Sequence, residues 1–261
     1  NYKSIAKIRS YKHLLLMGFG DMATQTTPQA ASFTPVAPAP SEPIPPLENG
    51  DRLSCAEFER RYSAMPHVKK AELIEGIVYT PSPVRWRRHS KPHSRSNFFL
   101  ESYAQSTPGV EAGLEATVRV DPDNEFQPDN FLLKSKGGQA RISADDYVEG
   151  SPELVWEVSA SSVSIDLHKK FEVYRRNGVK EYVVWRVEDR EIDWFILGGD
   201  QYEPLQAGPD GIVRSEVFPG LWLDRAAMLA DDIRRVLEVL KAGLDSAEHQ
   251  AFVAQLKERA D

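Results

Sequence analysis

The stretch from residue 151 to residue 185 constrains the fold of this chain more than any other segment. It opens with a short apolar run, Leu-Val-Trp-Glu-Val, which is typical of a buried strand and contains the carboxylate of Glu157. A helical pattern follows as far as Asn177. Gly178 can end that helix in the left-handed conformation, and Glu-Tyr-Val-Val-Trp resumes an extended run. The sequence therefore predicts a strand, a helix and a second strand, with a charged side chain inside the first strand.

The composition of the chain excludes several classes of protein. A length of 261 residues with 41% hydrophobic content suffices for one ordinary domain with extensions. The formal charge of -7 argues against a protein that coats nucleic acid, because such proteins need clustered Lys and Arg. The single cysteine, Cys55, excludes an internal disulfide and a cysteine-based zinc site, so the cytoplasm is the expected location. No apolar run approaches the roughly 20 residues that a membrane span requires.

Composition also divides the chain into three parts. Residues 1–50 are predicted to be a disordered, proline-rich leader, since Thr, Ala, Ser and Pro dominate its second half. Translation is expected to begin at Met22, which places residues 1–21 outside the native protein. Residues 51–223 are predicted to form the folded domain. The helical pattern over residues 224–261 predicts a C-terminal extension that could support a homodimer.

Shorter patterns predict the elements around residues 151–185. Ser159, Ser161 and Ser162 are typical helix starters, whose hydroxyls accept hydrogen bonds from free N–H groups. The remaining predictions are a short helix from residue 53, a strand pair around Gly76, a helix after residues 85–95, a strand at 117–120 with an antiparallel partner at 126–133, and a hairpin of strands at 192–197 and 202–205.

Basic side chains concentrate in residues 85–95, with an aromatic side chain among them. In a chain of negative net charge, this is the segment best suited to contact phosphates, although a solvated helix entrance is an equally good interpretation. The predicted nucleic-acid-binding residues are Arg85, Arg87, Arg88 and Lys91.

His89 and His93 in the same segment have the i,i+4 spacing of two zinc ligands on one helix face. Pro92 between them is expected to disturb a helix, and the sequence shows no third ligand. We therefore do not predict a zinc site here.

Two carboxylates and a lysine form the chemically most informative set. Asp129 follows Pro128 at the head of an apolar run, Glu157 lies inside the next strand, and Lys170 lies on the helix after it. Adjacent strands are about 4.8 Å apart, so two carboxylates at matching heights can share a hard cation such as Mg²⁺, with Mn²⁺ as a substitute. Asp166 lies four residues before Lys170 and can hold its ammonium group.

These residues resemble the Uma2 family (DUF820) of the PD-(D/E)XK nuclease superfamily. The similarity covers residues 53–223 and leaves out the leader and the C-terminal helices. The residues that carry it are Ala71-Glu-Leu-Ile-Glu-Gly76, Pro81-Ser82-Pro83, Pro92-His93, Pro128-Asp129, Glu157-Val158-Ser159, Ser161-Ser162, Asp166, Lys170, Tyr174, Gly178-Val179 and Glu181-Tyr182.

The resemblance implies an α/β (α+β) fold, a restriction-endonuclease-like mixed β-sheet flanked by helices. It implies that Asp129 and Glu157 bind the metal, that Glu72 joins them in preference to Glu75, and that His93 supports the site. At the position of the usual lysine, two residues after the Glu, this chain has Ser159, so the resemblance points to Lys170 instead.

The sequence thus predicts a metal-dependent endonuclease that hydrolyses phosphodiester bonds, with DNA as the expected substrate. Tyr174 is interpreted as a core residue that supports the site. The alternative is a non-catalytic nucleic-acid or protein interaction module on a nuclease-like fold, which the acidic net charge and Ser159 favour.

Overall fold

A computed structural model of the protein describes residues 43–80, 83–160 and 162–258. Residues 1–42 of the predicted leader lie outside these ranges, and Leu47 is buried near the start of the described chain. The strands in the described ranges are β1 (Glu72–Ile74), β2 (Ile77–Tyr79), β3 (Val110–Leu114), β4 (Val118–Asp121), β5 (Asn124–Phe126), β6 (Asn130–Lys134), β7 (Arg141–Ile142), β8 (Val148–Glu149), β9 (Leu154–Ser159), β10 (Glu181–Arg186), β11 (Glu191–Gly198), β12 (Gln201–Pro204), β13 (Ile212–Arg214) and β14 (Trp222–Asp224). The α-helices in the same ranges are α1 (Cys55–Ser63), α2 (Lys91–Gln105), α3 (Phe171–Arg176), α4 (Arg225–Leu229), α5 (Ile233–Leu244) and α6 (Ala247–Glu258).

Two six-stranded sheets carry the fold. The first has the strand order β2-β1-β5-β4-β8-β7, and the second has the order β12-β11-β10-β9-β6-β3. Neighbouring strands are antiparallel except for the parallel pairs β4–β8 and β9–β10. β13 and β14 form a separate hairpin. In the described part of the chain, no helix has both the length and the apolar character of a membrane span.

The predicted strand, helix and strand of residues 151–185 are confirmed. β9 and β10 pair in parallel over their full lengths. The helix between them includes a π-helical segment, Ile165–Lys170, that runs directly into α3. It ends before Gly178, whose φ of 79° is a conformation that glycine adopts at little cost.

Side chains of β9 alternate between the two faces of the second sheet. Trp156 packs in a core formed with α2, α5 and α6, whereas Val155 packs with Tyr174 of α3 in a second core. Glu157 lies two residues after Val155 and therefore faces α3 as well. Helices thus cover both faces of this mixed sheet, as predicted, and the buried charge of Glu157 lies beneath the helix that carries Lys170.

The helices predicted after residue 224 are also confirmed. The Asp224 side chain accepts a hydrogen bond from the Ala227 N–H and caps α4. Val236 of α5 and Phe252 of α6 are buried in the same core as Trp156. These helices therefore contribute directly to the stability of the second sheet.

Residues 126–133 do not form the single strand that the sequence predicted. β5 ends at Phe126 in the first sheet, and β6 begins at Asn130 in the second. Pro128 has no N–H, and the N–H groups of Gln127 and Asp129 are donated to the carboxylates of Glu72 and Glu157, which are distant in sequence. The chain therefore crosses from one sheet to the other at Asp129.

β3 was not predicted from the sequence, because a glycine interrupts its apolar pattern. It pairs with β6 at the edge of the second sheet, with Gly113 opposite Phe131. A Cβ atom on Gly113 would lie 1.9 Å from Cζ of Phe131. The aromatic ring therefore lies across the glycine, a close approach that only glycine permits.

Substitution of Gly113 by alanine is expected to destabilise the protein. At a position without such an obstacle, alanine would stabilise by about 0.4–1 kcal/mol through the unfolded state, but displacement of the Phe131 ring costs about 1–3 kcal/mol and outweighs this gain. Urea denaturation measures the net loss. Glu111→Ala, at an exposed position of the same strand, is the control, and an unchanged or higher midpoint for Gly113→Ala would contradict the expected clash.

Candidate active site

Asp129 and Glu157 meet where the chain crosses between the two sheets. β6 and β9 are antiparallel with Asn130 opposite Trp156, so the next step of the ladder places Asp129 beside Glu157. The Asp129 N–H donates to Oε2 of Glu157 at 3.4 Å, and the Val158 N–H donates to Oδ2 of Asp129 at 2.8 Å. Both acidic residues are only 3% exposed. The fold therefore buries two carboxylates next to each other.

Glu72 supplies a third carboxylate from β1. Its Oε1 accepts a hydrogen bond from the Gln127 N–H at 2.9 Å and lies 3.0 Å from Nζ of Lys170. Glu75 lies instead in the turn between β1 and β2, and its exposed side chain pairs with Arg176. The structure thus brings Glu72, and not Glu75, to the other two acids.

The ammonium group of Lys170 lies among these carboxylates. Its Nζ is 3.0 Å from Oε1 of Glu157 and 3.0 Å from Oε1 of Glu72. Oδ1 of Asp166, one helical turn earlier, is 3.9 Å away. Burial acts to lower the pKa of Lys170, but the negative charges around it outweigh burial and raise that pKa well above its ordinary value. Lys170 therefore stays charged in the folded protein.

The carboxylates of this cluster outnumber its ammonium groups. Burial raises the pKa of Glu157 above its ordinary value, and the ammonium of Lys170 opposes this shift. The charges of Asp129, Asp166 and Glu72 raise it further. A divalent cation at Asp129 and Glu157 would offset this excess negative charge, and carboxylate oxygens are the ligands that Mg²⁺ prefers. The residues present therefore fit a divalent metal ion.

Asp166 is held by two serine hydroxyls. Ser159 Oγ donates to Oδ2 of Asp166 at 2.7 Å, and Ser162 Oγ donates to the same oxygen at 2.5 Å. The prediction that these hydroxyls accept hydrogen bonds from the helix N–H groups is wrong for both, because a buried carboxylate is the stronger partner for a hydroxyl. Ser161 lies outside the described residues. Ser159, at the position of the superfamily's usual lysine, is thus connected to Lys170 only through Asp166.

Tyr174 orients one of the acids. Its hydroxyl donates to Oε1 of Glu157 at 3.1 Å, and its buried ring packs 4.9 Å from Phe126 and 5.1 Å from Tyr182 between centroids. Burial, together with the nearby charge of Glu157, raises the pKa of Tyr174 well above its ordinary value. Tyr174 is therefore a core residue that donates a hydrogen bond to the site.

Two further residues reach Asp129 that the sequence did not place in the site. Nζ of Lys70 lies 3.6 Å from Oδ1 of Asp129, and Nε2 of His89 lies 3.2 Å from Oδ2. Nε2 of His93 lies 2.8 Å from the backbone oxygen of the same residue. Burial acts to raise the pKa of Asp129, but the hydrogen bond from His89 and the charge of Lys70 outweigh it and hold that pKa below its ordinary value. The position of Lys70, directly before Ala71-Glu-Leu, is the sequence signal that could have identified it.

The four predicted phosphate-binding residues differ in their surroundings. Arg85 and Arg87 are exposed, and their side chains have no ion-pair or hydrogen-bond partner among the described residues. Trp86 between them is 65% exposed. The other two cations are paired with acidic side chains: Arg88 with Glu188, and Lys91 with Asp231. Of the four predicted residues, Arg85 and Arg87 are therefore the two whose side chains are free to bind a phosphate.

Comparison with known proteins identifies the family. The family model described as "Uma2: Putative restriction endonuclease" matches residues 55–226, which is more than half of the chain. The chain belongs to the Uma2 family. This confirms the resemblance, although Pro81, Ser82 and Ser161 of its motif residues lie outside the described ranges. The Uma2 match includes Asp129, Glu157 and Lys170 and ends in α4, so α5 and α6 lie beyond it.

Among solved structures, this Uma2 chain is similar to one described as "a putative nuclease belonging to DUF820 from Anabaena variabilis ATCC 29413". The two sequences are 15% identical, the similarity covers 69% of this chain and 97% of the other, and the TM-score is 0.48. No curated protein matches the chain.

Proposed function

We propose that this Uma2 protein is a metal-dependent endonuclease that hydrolyses phosphodiester bonds, with DNA as its substrate. The observation that supports the proposal is the convergence of Asp129, Glu157 and Glu72 where the two sheets meet, with Lys170 among them. Such a group of buried acids needs a cation. A phosphodiesterase needs the same cation at the scissile phosphate.

Asp129, Glu157 and Glu72 would hold a Mg²⁺ or Mn²⁺ ion. Such an ion lowers the pKa of a water ligand and offsets the charge that develops on the phosphate. Lys170 holds Glu157 and Glu72 in one orientation, and its remaining N–H can orient the attacking water or stabilise the pentavalent phosphorus. The hydroxyl of Tyr174 donates a hydrogen bond to the same Oε1 of Glu157 and restricts this carboxylate further. No covalent enzyme intermediate is required.

A cleavage assay with purified protein tests the proposal. Supercoiled plasmid, single-stranded DNA and RNA are incubated with Mg²⁺, with Mn²⁺ or with EDTA. We expect the DNA to be cut with either metal and to stay intact with EDTA. Cleavage that EDTA does not stop would contradict the metal dependence, and cleavage of RNA alone would contradict the assignment of DNA as substrate.

A non-catalytic interaction module is the second candidate function. Ser159 at the usual lysine position and the engagement of Lys170 with two carboxylates favour it. Thermal melting separates the candidates, because a metal-binding site raises the melting temperature in Mg²⁺ or Mn²⁺ and Asp129→Asn removes that rise. A melting temperature that neither metal changes would favour the interaction module.

Replacement of both Arg85 and Arg87 by alanine is expected to weaken DNA binding most strongly at low salt concentration. Each lost phosphate contact reduces the magnitude of the slope of log K against log salt concentration by about one. The slope of the double variant should therefore be smaller by about two. Fluorescence anisotropy with a labelled duplex at several NaCl concentrations measures the slope.

Two variants serve as comparisons for this measurement. Arg234→Ala removes an exposed arginine from α5 and should leave the slope unchanged. Arg88→Ala should have a smaller effect than either free arginine, because Glu188 already pairs with Arg88. A wild-type slope in the Arg85 and Arg87 double variant would exclude this segment from the nucleic-acid interface.

Three expectations from the sequence accompany this proposal. The protein is expected in the cytoplasm, where nucleic acid is accessible. A homodimer through the C-terminal helices is the expected assembly. The domain limits, residues 1–50, 51–223 and 224–261, also stay predictions.

A further inference from the structure

We propose that His89, His93 and Asp129 form a binding site for a divalent transition-metal ion such as Co²⁺ or Zn²⁺. One ligand atom from each residue lies within 4.8 Å of the other two. Among the described residues, the three acids of the nuclease site are not this close to one another, since Lys170 contacts both Glu157 and Glu72. The inference rests on the proposed function only through Asp129, which the two sites share. The two histidines would select a class of metal that a site made only of carboxylates would not select.

The helix geometry brings the two imidazoles together. The π-helical segment Trp86–Ser90 runs directly into α2, so His89 and His93 lie one turn apart with ring centroids 5.4 Å from each other. Pro92 lies where the π-helical segment joins α2, and its missing N–H coincides with the change from the π-helical to the α-helical hydrogen-bond pattern. Pro92 thus alters the hydrogen-bond pattern of the helix, as the sequence led us to expect, but the two imidazoles stay side by side. Asp129 is a third candidate ligand that the sequence did not identify.

The two oxygens of Asp129 have different neighbours. Oδ1 faces Lys70, whereas Oδ2 lies 3.2 Å from Nε2 of His89. Metal–nitrogen bonds of about 2.0–2.1 Å in a tetrahedral site separate neighbouring ligand atoms by about 3.4 Å, so this pair already has the spacing of two ligands of one ion. Nε2 of His93 lies 2.8 Å from the backbone oxygen of Asp129, so both histidines contact this one residue.

The donor atoms determine which ions the site selects. Imidazole nitrogens suit transition-metal ions such as Zn²⁺ and Co²⁺, whereas Mg²⁺ takes oxygen ligands. The His89 side chain is 23% exposed, which leaves room for solvent to complete the coordination. Its Nδ1 is buried without a hydrogen-bond partner among the described residues, so no such bond holds the ring away from an ion. These features together favour a transition metal over Mg²⁺.

Titration of the metal-free protein with Co²⁺ tests the site, because the visible absorption of Co²⁺ reports nitrogen ligation. We expect one ion to bind per chain, with an affinity that His89→Ala and His93→Ala each weaken at least about tenfold. His168→Ala removes an exposed imidazole and should change nothing. An excess of Mg²⁺ should not displace the Co²⁺. Circular dichroism checks that each variant is folded, and His89→Gln and His93→Gln replace any alanine variant that is not.

Glu157→Gln separates this inference from the proposed function. It removes a carboxylate of the nuclease site, so cleavage should be lost while the Co²⁺ spectrum and affinity stay as in the wild type. Co²⁺ binding that both histidine variants leave unchanged would overturn the inference and make the pair of His89 and Asp129 a structural ion pair. Histidine-dependent Co²⁺ binding without cleavage in any metal would support the site and contradict the nuclease.

Discussion

Asp129→Asn is expected to abolish metal-dependent cleavage while the protein remains folded. The substitution removes a negative charge from the proposed metal site, and a metal ion contributes several kcal/mol to the transition state, so the rate should fall about a thousandfold or more. The fold should survive because the asparagine oxygen can still accept the hydrogen bond from the Val158 N–H. Initial rates of plasmid nicking in Mg²⁺ and in Mn²⁺ measure the loss, and near-ultraviolet circular dichroism measures the fold.

Glu111→Gln is the matched control for this prediction, since it neutralises an exposed carboxylate on β3 of the same sheet. It should cleave at the wild-type rate. An Asp129→Asn protein that cuts as fast as the wild type would remove Asp129 from the active site. A protein that loses activity only because it unfolds would show instead that Asp129 serves the fold.

The part of the fold that the sequence predicted well is the part with local, strongly patterned signals. The strand with Glu157, the helix with Lys170 and the stop at Gly178 follow from an apolar run, a helical period and a residue tolerant of positive φ. The pairing of Asp129 with Glu157 follows from the close spacing of adjacent strands. Each of these predictions depends only on residues that are close in sequence or that lie opposite each other on two adjacent strands.

The sequence failed where contacts join distant segments. The strand expected over residues 126–133 breaks because Glu72, far away in the chain, accepts the Gln127 N–H. Lys70 and His89 reach Asp129 from separate elements, so their role depends on how β1 and α2 pack. The hydroxyl of Ser159 binds Asp166 rather than the helix N–H groups, because burial makes that carboxylate need a donor. Sequence patterns carry no record of such tertiary contacts.

Lys170→Met is expected to lower the free energy of unfolding by about 3–5 kcal/mol in metal-free buffer. Methionine is an unbranched side chain one atom shorter than lysine, and it lacks the ammonium group that lies 3.0 Å from both Glu157 and Glu72. Buried carboxylates are then left without their cation, and such a loss exceeds that of an exposed ion pair, which contributes about 0–1 kcal/mol. Urea unfolding measures the difference, with Lys180→Met, an exposed lysine, as the control.

The pH dependence of this loss follows from the direction of the carboxylate shift. The pKa of Glu157 is higher in the folded protein than in the unfolded chain, so folding takes up a proton. The free energy of unfolding therefore falls as the pH rises from the pKa of Glu157 in the unfolded chain through its pKa in the folded protein. Removal of Lys170 takes away the positive charge that opposes this shift, so the pKa of Glu157 in the folded protein rises further. The deficit of Lys170→Met should therefore be larger at about pH 8 than at about pH 5. An equal deficit at both values would show that lost packing, and not lost charge, causes it.

Mg²⁺ separates the two roles that Lys170 can have. If its ammonium group compensates the same acids that bind the metal, Mg²⁺ should raise the melting temperature of Lys170→Met by more than that of the wild type, because the ion replaces the missing charge. Cleavage by this metal-stabilised variant then decides the role in the reaction. A stable but inactive Lys170→Met protein in Mg²⁺ would assign Lys170 to the attacking water or the phosphate. A stable and active protein would restrict it to holding Glu157 and Glu72, and would make Lys70, 3.6 Å from Asp129, the lysine to test next.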